Sequence, residues 1–167
     1  MLDDLYRKIV MDHAKYKRNY GAMDGERDIH KIHYKNPTCG DMMVLYLSVK
    51  EGRMEDLSFE GEGFSISMAS CSMMTEVLKN HTVGECMKKR RAFERLIREG
   101  HREDGIELGD AASLQGVHKL RARHNCALMP WQALDRWLKE KKYDGDGYKN
   151  TCNHSDGVFG IGKDHFP

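Results

Sequence analysis

One six-residue stretch, N-P-T-C-G-D at positions 36–41, most constrains how this chain folds, because it forces a turn between two strand-like segments. Pro37 fixes its own φ and biases the residue before it towards extended geometry, while Gly40 permits a sharp turn. The turn holds Cys39 and Asp41 two residues apart, so a thiolate and a carboxylate can point at one position, as a metal ion requires. An ordinary loop with one half-buried thiol is an equally good interpretation of these six residues alone.

Strand-like segments flank this turn. Residues 30–34 look extended, residues 42–49 (MMVLYLSV) are dense in apolar and β-favouring types, and residues 54–60 (MEDLSFE) alternate between apolar and polar. Residues 51–53 (EGR) are typical of a tight turn. The second and third segments therefore predict a β-hairpin.

Helical patterns make up most of the remaining chain. Asp3 or Asp4 can cap a first helix of about fifteen residues. Residues 64–79 (FSISMASCSMMTEVLK) predict a helix rich in small residues, and the serine at the beginning of this segment is its cap candidate. Thr82 can cap a third, amphipathic helix that runs to about Arg98.

A last helix is predicted over residues 127–142, with Pro130 tolerated in its first turn. Cys126 then lies at the helix N-terminus, where the macrodipole and the free backbone N–H groups stabilise a thiolate. Two arginines just upstream add to that effect, and His124 is a further residue of ligand type. This helix start is thus a second place where a metal ligand can be presented.

The other cysteines and histidines are weaker candidates for metal ligands. Cys71 and Cys86 fall inside predicted helices, where a cysteine is more often a small core residue than a ligand. The other histidines of the first 142 residues show no ligand pairing in the sequence; they are His13, His30, His33, His81, His101 and His118.

Composition excludes several classes of protein. The 167 residues suit one domain, the net charge of +1 gives no general attraction to nucleic acid or membranes, and no run of eighteen apolar residues can span a bilayer. The five cysteines are odd in number and scattered, and the acidic first residues lack the apolar region of a signal peptide. We expect a cytoplasmic protein with reduced thiols.

The composition changes near the C-terminus. Residues 143–167 contain five glycines and show no periodicity, so a flexible tail is predicted after a domain of residues 1–142. Cys152 and His154 form a C-x-H pair in this tail, although an ordinary disordered tail is the simpler interpretation.

Three motifs together resemble the NifU/IscU scaffold family: the N-P-T-C-G-D stretch, the segment GEGFSISMASCSMMT at 61–75, and Cys126-Ala127 at a helix start. The first helix, with Tyr6 and the pair Asp12-His13, also fits. The similarity covers roughly residues 1–142 and is greatest to the SufU branch, whose insertion before the last cysteine corresponds to residues 85–120.

The resemblance implies an α+β sandwich, in which helices pack on one side of a small, mainly antiparallel sheet. It also implies a zinc site made by three cysteines and an aspartate, and a cysteine desulfurase partner that passes persulfide sulfur to a ligating cysteine. Cys39, Asp41 and Cys126 match the family ligands, and Cys39 matches the sulfur acceptor. A monomer or weak homo-oligomer is expected, and sulfurtransferase activity is compatible with the resemblance.

One ligand position departs from the family pattern, because Phe64 stands where a cysteine is expected. A phenyl ring cannot bind zinc, and its bulk is expected to fill part of the pocket. His124, Cys71, water or a partner side chain can supply a fourth ligand. Three ligands bind metal more weakly than four and disfavour an iron–sulfur cluster, which usually takes a fuller set of thiolates.

The three retained ligands and the departure at Phe64 leave two candidate functions. The first is an iron–sulfur cluster assembly protein of SufU/IscU type that accepts sulfur from a desulfurase, and the three retained ligands favour it. The second is a diverged paralogue that binds a desulfurase as a regulator or adaptor, and Phe64 favours that alternative.

Overall fold

A computed structural model describes residues 2–25 and 28–143. They form an α+β fold, which confirms the predicted fold class. The strands and helices, in chain order, are α1 (Leu2–Lys15), β1 (His30–Lys35), β2 (Met42–Lys50), β3 (Arg53–Glu62), α2 (Ser65–Leu78), α3 (Val83–Glu99), a long 3-10 helix (Gly109–Lys119), a short 3-10 helix (Arg121–Arg123) and α4 (His124–Glu140).

The three strands form one antiparallel sheet in the order β1-β2-β3. The predicted hairpin between β2 and β3 is confirmed, and its turn residues Glu51 and Gly52 both have positive φ, at 54° and 74°. Two positive φ values in succession define the turn whose twist matches that of the flanking strands. The turn at residues 36–41 joins β1 to β2, so it lies at the end of the sheet opposite this hairpin turn.

Helix α2 lies at the centre of the molecule. Leu45, Leu47 and Phe59 project from the sheet into the core and are fully buried. Helix α2 packs against β3, α1, α4 and the long 3-10 helix, and eleven of its fourteen residues are buried. Serines are tolerated at these buried positions because each finds a partner, as Ser70 does by donating to the Ala127 carbonyl at 2.5 Å.

The helix boundaries agree with the sequence prediction in one case and differ in another. Thr82 caps α3 as predicted, since its hydroxyl accepts from the Glu85 N–H and the Glu85 carboxylate accepts from the Thr82 N–H. Helix α4 begins at His124, three residues earlier than predicted, so Pro130 lies inside the helix rather than in its first turn. The missing N–H of Pro130 leaves the carbonyl four residues before it, that of Cys126, without a helical hydrogen bond.

The predicted tail falls almost wholly outside the described residues, so the boundary at residue 142 stays a prediction. Its first residue, Tyr143, packs against Trp137 with ring centroids 5.4 Å apart. Cys152 and His154 also lie outside the described residues. Within residues 2–25 and 28–143, no helix combines the length and the apolarity that a bilayer crossing requires.

Candidate metal centre

The loop that carries Cys39 and Asp41 is closed by its own hydrogen bonds. The Asn36 N–H donates to the Asp41 carbonyl at 2.8 Å, and the Gly40 N–H donates to the Asn36 carbonyl at 2.9 Å. Gly40 has a φ of 81°, which a side chain would disfavour. The loop therefore presents both candidate ligands from a fixed turn, as the sequence predicts.

Two asparagines join this loop to the start of α4. Asn36 is buried and donates from its side chain to the Asn125 carbonyl at 3.0 Å, and Asn125 donates from its side chain to the Thr38 hydroxyl at 2.9 Å. Sequence reasoning missed this link, although Asn125 adjoins Cys126. The link matters because it fixes Cys126 relative to Cys39.

Cys39, Asp41 and Cys126 converge as predicted. Their ligand atoms all lie within 4.8 Å of one another, and the two Sγ atoms are 3.7 Å apart. Two thiolates that bind one tetrahedral zinc ion at about 2.3 Å lie about 3.8 Å apart. The two sulfur atoms are thus spaced like two corners of a zinc coordination tetrahedron, with a carboxylate beside them. The donor set fits zinc.

Asp41 has a second role, because its carboxylate caps α2. The Oδ2 atom accepts from the Phe64 N–H at 3.1 Å and from the Ser67 hydroxyl at 2.6 Å. Ser65, the serine expected to cap this helix, makes no such bond, so that prediction is wrong. A Cβ on Gly63 would lie only 2.4 Å from the Asp41 Cγ, which explains why glycine precedes this helix.

Phe64 lies at the rim of the cluster rather than in its interior. The residue is 46% exposed, and the Arg123 guanidinium lies over its ring, 4.2 Å from the centroid. The same guanidinium reaches Cys126, with Nη1 4.0 Å from Sγ. Phe64 therefore packs against a guanidinium that lies beside one of the two thiols.

The protonation of Cys39 depends on its neighbours. Partial burial raises the pKa of its thiol, Cys126 and the Asp41 carboxylate raise it further, and the Asp41 N–H opposes them. A cation between these groups would reverse this balance, because it favours the thiolate over the thiol.

Neither proposed substitute ligand joins the cluster. His124 uses its Nε2 in a 2.8 Å hydrogen bond with the His118 carbonyl. Cys71 is fully buried, its Sγ lies 3.8 Å from the Met43 sulfur, and burial raises the pKa of its thiol. Cys71 and Cys86 are core residues, as predicted.

A second cluster of ligand-type residues was missed. His13, Glu76 and Asp110 come together from α1, α2 and the long 3-10 helix, with ligand atoms within 4.8 Å of one another. The expectation that His13 lacks such partners is wrong. Since the three residues lie 63 and 34 positions apart, no local spacing could have revealed them.

Several known proteins resemble this chain in sequence or in structure. Residues 5–127 match the NifU-like N terminal domain family. The zinc-dependent sulfurtransferase SufU of Bacillus subtilis is 40% identical over 141 residues, which are 84% of this chain and 94% of that protein. The iron–sulfur cluster assembly scaffold protein IscU of Streptococcus pyogenes is 34% identical over 83% of this chain and 85% of that protein.

A solved structure assigned to a SUF-system scaffold of Fervidobacterium islandicum has a TM-score of 0.70 at 27% identity. The superposition covers 77% of this chain and 93% of that one.

Proposed function

Since this chain belongs to the NifU-like N-terminal domain family, we propose that it is an iron–sulfur cluster assembly protein of SufU type. In this proposal it accepts sulfur from a cysteine desulfurase on Cys39, at a zinc site made by Cys39, Asp41 and Cys126. The observation that carries the proposal is the 3.7 Å separation of the two Sγ atoms beside a buried carboxylate.

Exposure favours Cys39 over Cys126 as the sulfur acceptor. Cys39 is half-buried at the tip of its loop, whereas Cys126 is only 1% exposed. An attacking thiol must reach the terminal sulfur of a persulfide held on another protein, so the more accessible thiol is the better acceptor.

The sulfur transfer itself is a thiol–persulfide exchange. The Cys39 thiolate attacks the terminal sulfur of the desulfurase persulfide, a new S–S bond forms on Cys39, and the old S–S bond breaks. The desulfurase cysteine leaves as a thiolate, so sulfane sulfur moves between the proteins and no outside oxidant or reductant is needed.

Each site residue has a distinct task in this step. A bound zinc ion would keep its cysteine ligands deprotonated at neutral pH. Asp41 ties the loop to α2 through its bonds to Phe64 and Ser67. The Arg123 guanidinium places a positive charge beside Cys126, with Nη1 4.0 Å from its sulfur.

The fourth zinc position is where this chain departs from a four-ligand site. Phe64 offers no donor atom, so we propose that water or a side chain of the partner takes that position. A three-ligand site with one exchangeable position is the arrangement that zinc enzymes use for substrates. The absence of a donor atom at Phe64 thereby favours a zinc ion with one exchangeable ligand over a zinc ion with four permanent protein ligands.

Phe64 also favours a second candidate function, that of an adaptor that binds a desulfurase without taking its sulfur. The two functions differ in one observable, which is persulfide on Cys39. The four described cysteines are free thiols, which suits the reducing cytoplasm proposed for either function.

The test combines zinc analysis with mass spectrometry. The purified protein should contain about one zinc per chain, and incubation with a cysteine desulfurase and cysteine should add one sulfur to the peptide that contains Cys39. Cys39→Ser should abolish the added sulfur. Cys71→Ala removes a thiol outside the cluster and should change neither measurement. Zinc without persulfide would support the adaptor, and absence of both would contradict the sulfur-transfer proposal.

A further inference from the structure

A buried histidine and two carboxylates meet beside the C-terminal half of α2, whereas the cysteine cluster lies at the N-terminus of that helix. His13 is fully buried, and its Nε2 lies 2.9 Å from the Asp110 Oδ2 and 3.9 Å from the Glu76 Oε1. The two carboxylates are about half exposed, at 52% for the Asp110 side chain and 47% for that of Glu76. The imidazole thus forms the floor of a cluster that opens to solvent between two acidic groups.

The charges in this cluster do not balance. No lysine or arginine within residues 2–25 and 28–143 lies within ion-pair distance of Glu76 or Asp110, and His13 is the one basic group that reaches either. One imidazole can give a single Nε2 proton, and its bond to Asp110 uses that proton. Among the described residues, Glu76 therefore has no ion-pair partner other than this shared imidazole.

We infer that His13, Glu76 and Asp110 form a second metal site, for a divalent transition-metal cation. An ion about 2.1 Å from a nitrogen and an oxygen holds them about 3.0 Å apart in octahedral geometry and about 3.4 Å apart in tetrahedral geometry. The observed separations of 2.9 and 3.9 Å bracket these values. A small shift of the half-exposed Glu76 side chain completes the coordination, and water takes the open positions.

Ser72 supplies the support that a ligating histidine needs. Its hydroxyl oxygen lies 2.7 Å from the His13 Nδ1 and accepts from the Arg18 N–H at 2.9 Å. Without metal, the Ser72 hydroxyl donates to Nδ1 and Nε2–H donates to Asp110. With metal, the imidazole proton moves to Nδ1 and donates to Ser72, which frees the Nε2 lone pair for the ion. No net gain or loss of a proton by the imidazole is required.

The donor set separates this site from the cysteine cluster. One imidazole nitrogen and two carboxylate oxygens accept Mn²⁺, Co²⁺ and Zn²⁺, whereas thiolates select zinc and disfavour manganese. Twelve residues of helix separate Phe64 from Glu76, or about 18 Å. The inference does not depend on sulfur transfer, so either can fail alone.

Cobalt(II) tests the inference in a variant whose first cluster cannot bind it through sulfur. We expect Cys39→Ser/Cys126→Ser to bind about one Co²⁺ per chain at the second site, with visible absorption but without the ultraviolet charge-transfer band of a cobalt thiolate. Adding Glu76→Gln or Asp110→Asn to this variant should weaken Co²⁺ binding by roughly ten- to a hundredfold. Asp110→Asn keeps an oxygen for the His13 N–H, so the fold is retained.

Glu140→Gln is the matched control, because it removes an exposed carboxylate at the end of α4. It should leave Co²⁺ binding unchanged. In the wild-type protein, Mn²⁺ should bind at the second site alone, so its electron paramagnetic resonance signal should respond to Glu76→Gln and not to Cys39→Ser. Absence of Co²⁺ binding in the double cysteine variant, or binding that survives both carboxylate substitutions, would overturn the inference.

Discussion

Two clusters of ligand-type residues lie along the same helix and differ in how the chain builds them. The cysteine cluster (Cys39, Asp41 and Cys126) uses a six-residue turn and a helix start, held together by the hydrogen bonds of Asn36 and Asn125. The histidine cluster (His13, Glu76 and Asp110) draws one residue from each of three helices.

The clusters also differ in the groups that donate hydrogen bonds to their carboxylates. Asp41 is buried and receives two hydrogen bonds at one oxygen. Asp110 and Glu76 are half exposed and share one imidazole. The Asp41 carboxylate therefore supports the fold even without metal, whereas the two carboxylates of the histidine cluster have only one imidazole between them and are open to a cation.

The largest effect expected from one substitution is that of Phe64→Cys, which supplies a third thiolate to the cysteine cluster. Structural zinc sites contribute about 10–16 kcal/mol through four ligands, so one ligand corresponds to about 3 kcal/mol. Zinc affinity should therefore rise roughly a hundredfold. Competition with a chromophoric chelator measures it, and the cobalt thiolate band should grow in parallel.

Phe64→Ser is the matched control, because it removes the ring without adding a strong ligand. It should leave zinc affinity within about threefold of wild type, since a neutral hydroxyl is a poor zinc ligand. Mn²⁺ binding at the histidine cluster should be the same in both variants. An unchanged zinc affinity in Phe64→Cys would mean that residue 64 does not face the ion.

The next largest effect separates the two aspartates by stability. In metal-free protein, Asp41→Ala leaves the Phe64 N–H and the buried Ser67 hydroxyl without their acceptor, and should lower the free energy of unfolding by about 2–3 kcal/mol. Asp110→Ala should cost about 1 kcal/mol, because its half-exposed carboxylate is replaced in part by water. Urea unfolding in the presence of a chelator measures both. Equal losses would contradict the claim that the Asp41 carboxylate supports the fold more than the Asp110 carboxylate does.

Much of the fold and of the first cluster could be predicted because the signals are local. Pro37 and Gly40 mark a turn, Glu51-Gly52 marks a hairpin, and Thr82 with Glu85 marks a helix start. Each of these depends on backbone preferences within a few residues. Cys39 and Asp41 are positioned by such a turn.

The rest could not be predicted because it depends on contacts between distant segments. Ser65 has the right chemistry to cap α2, yet the Asp41 carboxylate arrives from another loop and takes that role. Helix α4 begins earlier than predicted because the short 3-10 helix before it continues directly into α4. Pro130 therefore lies in the helix interior. His13 gained partners only through the packing of three helices.

A smaller effect is expected from Ser72→Ala, which tests the support of the histidine cluster. The substitution removes the partner of both the His13 Nδ1 and the Arg18 N–H, and should lower the free energy of unfolding by about 2 kcal/mol. It should also weaken Mn²⁺ binding by roughly tenfold, because the imidazole loses its orienting bond. Ser67→Ala, on the same helix, is the control. It should leave Mn²⁺ binding unchanged, and a loss there would show that the two clusters are coupled through α2.

The smallest effect concerns the rim of the cysteine cluster, where the Arg123 guanidinium lies over the Phe64 ring and reaches the Cys126 sulfur. An exposed cation–π contact contributes about 0.5–1 kcal/mol, and a lysine cannot stack its charge on the ring and reach the sulfur with the same planar group. Arg123→Lys and Phe64→Leu should each lower the free energy of unfolding by less than about 1 kcal/mol, with a coupling energy of about 0.5 kcal/mol between them. A double-mutant cycle by urea unfolding of the metal-free protein measures that coupling. Strict additivity of the two free-energy changes would show that the Phe64 ring does not position the Arg123 guanidinium.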